Sequence, residues 1–263
     1  AAGQEQPVQG ENFCMDCKVG RYTTVAGTAA CSMAGPGYYV PGLGASAQVQ
    51  CNAGTYSPGQ GSNECTTCAV GSVNPKMAAS SCINCTGGKY RGGEGGMTCD
   101  SCGAGQFSPS KAASCTNCSP GTYCGQGELC ETCNICPAGK FSGASAYECQ
   151  DCAPGRYQGE AGKDTCVSAS PGSYALGGTS AQIPCAAGKF NTDKALTTCE
   201  ESPIGYYIPY MGATQPLQIP AGSFAFGTGA STITPSPAGK YSGFGATEPI
   251  SCVAGKFATE GQE

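Results

Sequence analysis

Tryptophan and histidine are absent from this 263-residue chain, and Leu, Ile, Val and Phe together number only 30. A compact domain of that length needs a sizeable apolar interior, so the shortage excludes a conventional hydrophobic core. Without histidine there is no Ser-His or Cys-His pair to activate a nucleophile. No run approaches the roughly 18 apolar residues needed to cross a bilayer, so this stretch is expected to lie outside the membrane. Charge is sparse too: 13 basic and 18 acidic residues give -5, too little to drive expansion. The basic residues are scattered singly, which argues against a nucleic-acid partner. Ala1-Ala2-Gly3 has no signal-peptide pattern, so either a leader has been removed or this is a window from a longer chain.

What the chain has in abundance is cysteine and glycine, 22 and 42 residues, in register with one another. Cysteine at this density implies an oxidising compartment: the extracellular space, a cell surface, or the lumen that feeds them. The glycines form a ruler with steps of 16 to 18 residues: Gly20, Gly37, Gly54, Gly71, Gly88, Gly105, Gly121, Gly139, Gly155, Gly172, Gly188, Gly205, Gly222, Gly239 and Gly255. Two places on stands a ring, from Tyr22, Tyr39 and Tyr56 through to Tyr241 and Phe257, with Val73 the one break. Self-similarity at a short fixed period marks a repeat array in which each unit gains stability from its neighbours.

With each ruler glycine as position 0, cysteines fall at -3 and again at +10 or +11, and a small residue, Gly or Ala, usually stands near +7. The modules without cysteine decide the pairing. At Gly37 the two places hold Ala34 and Gln48, at Gly172 Ala169 and Ile183, at Gly205 Ser202 and Pro216, at Gly222 Ile219 and Ile233, and at Gly239 Ser236 and Ile250. Joint loss is what two residues bonded to each other would show. It predicts staples Cys17–Cys31, Cys51–Cys65, Cys68–Cys82, Cys85–Cys99, Cys102–Cys115, Cys136–Cys149, Cys152–Cys166 and Cys185–Cys199. The longer Gly121 module adds Cys118–Cys133, with Cys124–Cys130 inside it. A pairing shifted by one period, Cys65–Cys82 or Cys68–Cys85, would leave orphans beside each cysteine-free module, and the interior has none. Cys14 and Cys252 remain unpaired within the chain. Either the array continues beyond both ends or neighbouring subunits bring the two together.

Each module is expected to be a pair of short strands and turns, with the glycine in a conformation closed to other residues and the rings supplying contact between units. The fold class is therefore small, disulfide-rich and mostly β or irregular: an elongated rod of about fifteen stacked 17-residue hairpin-like repeats. One strand spacing per module would make it roughly 70 Å long, two roughly 140 Å. Cysteine density divides it into a dense array, 1–166, and a sparse continuation, 167–263. The sparse part, lacking staples, should need packing against something such as another subunit. In the Gly222 module Ile219 and Ile233 could pack where sulfur would bond.

The chemistry weighed at the residue level is meagre. Cys65-x-x-Cys68 and Cys82-x-x-Cys85 match the spacing of a four-cysteine zinc site, but the doublet recurs throughout the array as the end of one staple and the start of the next. No metal, cofactor or catalytic residue is expected, and the carboxylates Asp16, Glu64, Asp100, Asp151, Glu160, Asp164, Glu200 and Glu201 read as solvated surface charge. A basic residue often follows the ruler glycine (Arg21, Lys89, Lys140, Arg156, Lys189, Lys240, Lys256), forming either a solvated row or a site for acidic groups. Asn84-Cys85-Thr86 and Asn117-Cys118-Ser119 fit the acceptor for N-linked sugar, with weaker matches at Asn12, Asn63 and Asn134, and the tract from Thr228 to Pro237 suits O-linked sugar.

Cys136-Pro137-Ala138-Gly139-Lys140-Phe141 and Cys152-Ala153-Pro154-Gly155-Arg156-Tyr157 resemble the C-P-x-G-x-(Y/F) core of ephrin-receptor-like cysteine-rich repeats, related in style to tumour-necrosis-factor-receptor modules. The resemblance covers nearly the whole chain and implies an extracellular repeat protein; the cysteine-free modules depart from it. The uninterrupted array is also similar to structural surface hairs such as flagellar mastigonemes. The expected function is non-enzymatic and structural: a stapled, glycosylated rod that self-associates into a filament, surface hair or coat. The alternative is the stalk of a receptor or adhesin that binds a protein or glycan ligand.

Overall fold

A computed structural model describes residues 1–10 and 12–261. Among them there is no helix, and thirty two-residue strands pair consecutively into fifteen antiparallel hairpins. The hairpins begin one period earlier than the aromatic ruler: Gln4–Glu5 pairs with Met15–Asp16 after Gly3, while no strand follows Gly255 among the described residues. Two compact units result, Ala1–Cys118 with Cys124–Asn134, and Ser119–Tyr123 with the residues from Ile135 onward.

The Gly20 hairpin shows the construction in the first unit. Lys18 to Arg21 form a β-turn closed by Arg21 N–H donating to Lys18 C=O at 3.0 Å, with Gly20 in third place at φ +80°. A type II turn demands a positive φ there and favours proline just before it, which is why Pro36, Pro120, Pro154 and Pro171 precede ruler glycines. Arg21–Tyr22 then pairs with Ser32–Met33, and Ala34 N–H donates to Gly20 C=O at 2.9 Å to close the ladder.

Within each unit main-chain hydrogen bonds join successive hairpins. Gly20 N–H donates to Val40 C=O (2.9 Å) and Thr23 N–H to Ala45 C=O (3.2 Å), while Gly44 N–H reaches back to Cys17 C=O (2.8 Å). The second unit repeats the scheme: Gly155 N–H to Ala175 C=O (2.8 Å), Gln158 N–H to Thr179 C=O (3.2 Å) and Gly178 N–H to Cys152 C=O (2.8 Å). The approach is close enough that a Cβ on Gly20 would lie 2.0 Å from the carbonyl oxygen of Gly61.

A ruler ring can pack against the next hairpin, as Phe107 does against Cys124 and Cys130, but the closest approach between hairpins is made by other residues. Mostly small or hydrogen-bonding side chains stand between successive hairpins, at -3 and +3: Cys17, Ala34, Cys51 and Cys68 in one column, Thr23, Val40, Ser57 and Asn74 in the other, all buried, with Ile219 and Ile208 the largest members further along. Most rings remain half-buried, Tyr241 and Phe257 are exposed, and the one ring pair among the described residues is Phe224 against Phe226. The core is thus a thread of small residues, as the shortage of large apolar side chains requires.

Candidate functional site: the staple columns and the loop surfaces

Ten disulfides close the hairpins. They join Cys17–Cys31, Cys51–Cys65, Cys68–Cys82, Cys85–Cys99, Cys102–Cys115, Cys118–Cys133, Cys124–Cys130, Cys136–Cys149, Cys152–Cys166 and Cys185–Cys199, with Cα atoms 5.7 to 6.1 Å apart. The doublets Cys65-x-x-Cys68 and Cys82-x-x-Cys85 therefore each join the end of one staple to the start of the next, and their sulfurs are bonded elsewhere. Cys124 and Cys130 bring Glu128 close enough to suggest a metal site, but both sulfurs are in a bridge. With Cys118 they make a small buried cluster against Phe107 and Cys133. Cys14, exposed, and Cys252, half-buried, are the free thiols.

The strand register corrects two of the five staple-free modules. At Gly172 the second strand is Ile183–Pro184, so the place before it, where Cys31 stands in the Gly20 hairpin, belongs to Gln182 and not to Ile183. At Gly239 the strand is Ile250–Ser251, and the place belongs to Pro249 and not to Ile250. Both modules are 16 residues long, one short of the common period, which shifts the position. Corrected, the substitutions pair by kind: Ala34 with Gln48 and Ala169 with Gln182, Ser202 with Pro216 and Ser236 with Pro249, and Ile219 with Ile233. In both alanine modules the glutamine makes the same bond. Gln48 Oε1 accepts from Gly35 N–H at 2.8 Å, and Gln182 Oε1 from Ser170 N–H at 2.7 Å. A hydrogen bond to the main chain thus spans the gap that a disulfide spans elsewhere.

The +3 column is the feature that the aromatic ruler hides. Contact across the thread is direct at two places: the bridged Cys136 Sγ lies 3.3 Å from Ser142 Oγ, and the Ser236 and Ser242 hydroxyls lie 2.6 Å apart. Elsewhere volume is exchanged between the two places, Ala34 with Val40, Ser202 with Ile208 and Ile219 with Ala225, all buried. Ala169 and Ala175 are both small and do not follow this exchange. Ile233 is half-buried opposite the fully buried Ile219.

Much of the basic row is engaged locally. Arg21 and Arg156 donate from Nη1 to the carbonyls of Cys31 and Cys166, at 3.0 and 3.2 Å. Lys140 pairs with Asp151 at 2.9 Å and Lys189 with Glu201 at 3.7 Å, each across its own hairpin. Asp16 accepts from Gln4 and Asp100 faces Arg91. The Lys163 ammonium hydrogen-bonds Glu160 at 2.7 Å, which lowers the carboxyl pKa and raises that of the amine; both are solvent-exposed, so the pair is worth little to stability. Asn84 and Asn117 lie exposed on second strands. An open concavity of about 600 Å³ lies between Tyr174, Ile183, Lys189 and Met211.

Comparison with protein-family models and with curated proteins finds no match to this chain. The repeat itself is plain: a cysteine-rich array of disulfide-closed hairpins, mostly β or irregular, without a conventional core. Its bridges are compatible with an extracellular setting, and no described helix is long and apolar enough to cross a membrane.

Proposed function

We propose that this is a non-enzymatic, extracellular structural protein that self-associates into a filament, surface hair or coat. The observation that carries this reading is the sameness of the hairpins: within each unit successive hairpins make the same main-chain bonds to one another. Repeated equal faces favour head-to-tail, open-ended association. Exposure of Asn84 and Asn117 suits N-linked sugar at both. Negative-stain microscopy of native material tests the reading: regular polymers are expected, and isolated particles alone would overturn it. Treatment with an N-glycosidase should convert Asn84 and Asn117 to aspartate, read as a mass increase of the two peptides.

A second reading, the stalk of a receptor or adhesin, draws on the likeness of Cys136–Phe141 and Cys152–Tyr157 to ephrin-receptor-like repeats. A membrane anchor in the same gene together with unpolymerised native protein would favour it.

A further inference from the structure

In the staple-free stretch 202–252 the only charged residues are Lys240 and Glu248. The same stretch presents large apolar side chains at its loop tips. Tyr210 is 50 % exposed, Met211 63 %, Phe226 73 % and Phe244 70 %. These residues occupy three successive loops that are bonded in series, Ile208 N–H to Ala230 C=O at 2.8 Å and Ala225 N–H to Ala246 C=O at 3.2 Å. Phe226 is held in place by the buried Phe224, edge to face at 5.3 Å between ring centres.

We propose that these three loops are the surface through which one copy of the chain docks on a second copy. This rests on the self-association reading above and names its site. Aromatic and methionine enrichment with depletion of charge is the mark of an interface core. The complement of an uncharged apolar ridge is another such ridge, and this chain carries one; the contact is isologous and pairs two copies, apart from the head-to-tail contact that would extend a filament. Side chains of this size bring about 150 Å² or more each when fully exposed, so two phenylalanines, a tyrosine and a methionine that are 50 to 73 % exposed supply roughly half of the ~800 Å² that each partner contributes to a standard interface. The ridge also lies where no disulfide closes the hairpin, so docking would hold the three unstapled hairpins that bear it.

The test is sedimentation velocity of the full chain and of two variants, each checked for an unchanged far-ultraviolet spectrum and disulfide map. Wild type should assemble. The double variant Phe226→Asp/Phe244→Asp should associate at least about 100-fold more weakly, as loss of two buried anchors implies. Leu43→Asp, which replaces an equally exposed apolar side chain in a loop of a different staple-free module, should behave as wild type. If the double variant assembles as well as wild type, this surface is wrong and the filament reading stands. If wild type stays monomeric at all concentrations, both fall and the ridge belongs to a different partner.

Discussion

At the scale of the residue, two glycine positions carry the array for different reasons. The ruler glycine was legible because a type II turn requires it and because nothing larger fits. Gly54 is at φ +84°, and a Cβ there would lie 2.1 Å from the Gly95 carbonyl oxygen. Gly54→Ala should therefore cost at least about 2 kcal/mol, combining left-handed strain with main-chain displacement. Faster hydrogen exchange of the Cys68 amide, which donates to Gly54 C=O, would report it. The second column, near +7, was legible only as a preference for small residues. Four of its places are filled by Ala78, Lys111, Ser145 and Ala195, all at φ +55° to +64°, and an alanine or lysine in a sequence does not reveal a left-handed backbone. At these places glycine should be the better residue. Lys111→Gly is expected to stabilise by about 1 kcal/mol, measured as a raised denaturation midpoint; a lowered one would show that the lysine side chain holds something the backbone account omits.

At the scale of the hairpin, the sequence identified the staples through their joint absence, because a covalent pair is useless by half. The ten bridges in the structure join the same residues. What the sequence did not reveal was the register in shortened loops, where counting from the glycine points to Ile183 and Ile250 in place of Gln182 and Pro249. A deletion inside a loop leaves the strands paired and moves the count, so only the strand pairing locates the position. Engineered bridges separate the two counts. Ala169→Cys with Gln182→Cys should oxidise to a disulfide and, in closing a loop of about 15 residues, add roughly 3 kcal/mol. Ala169→Cys with Ile183→Cys should leave free thiols, since Ile183 is already paired across the hairpin with Tyr174. Peptide mapping without reduction distinguishes the outcomes, and a bridge to position 183 would restore the simple count. The mutual contact of -3 and +3 was equally illegible, since it appears only when the columns are seen to face each other.

At the scale of the whole molecule, the same main-chain ladder runs through hairpins that have staples and hairpins that do not, so the contribution of the staples can be measured inside one chain. In the second unit the Cys152 amide closes the Gly139 hairpin and the Ala169 amide the Gly155 hairpin, both stapled; the Ile219 and Ser236 amides close the Gly205 and Gly222 hairpins, both unstapled. If each bridge acts by restricting the open form of its own loop, reduction and alkylation should lower the opening free energy of the first two by about 3 kcal/mol. Their amides would then exchange about 100-fold faster, since every 1.4 kcal/mol is tenfold, while Ile219 and Ser236 keep their rates. Hydrogen exchange by mass spectrometry before and after reduction measures both sets together. Equal loss at all four amides would mean that the bonds between successive hairpins, and not the bridges, set the size of the cooperative unit, and that the unstapled stretch draws its stability from its stapled neighbours.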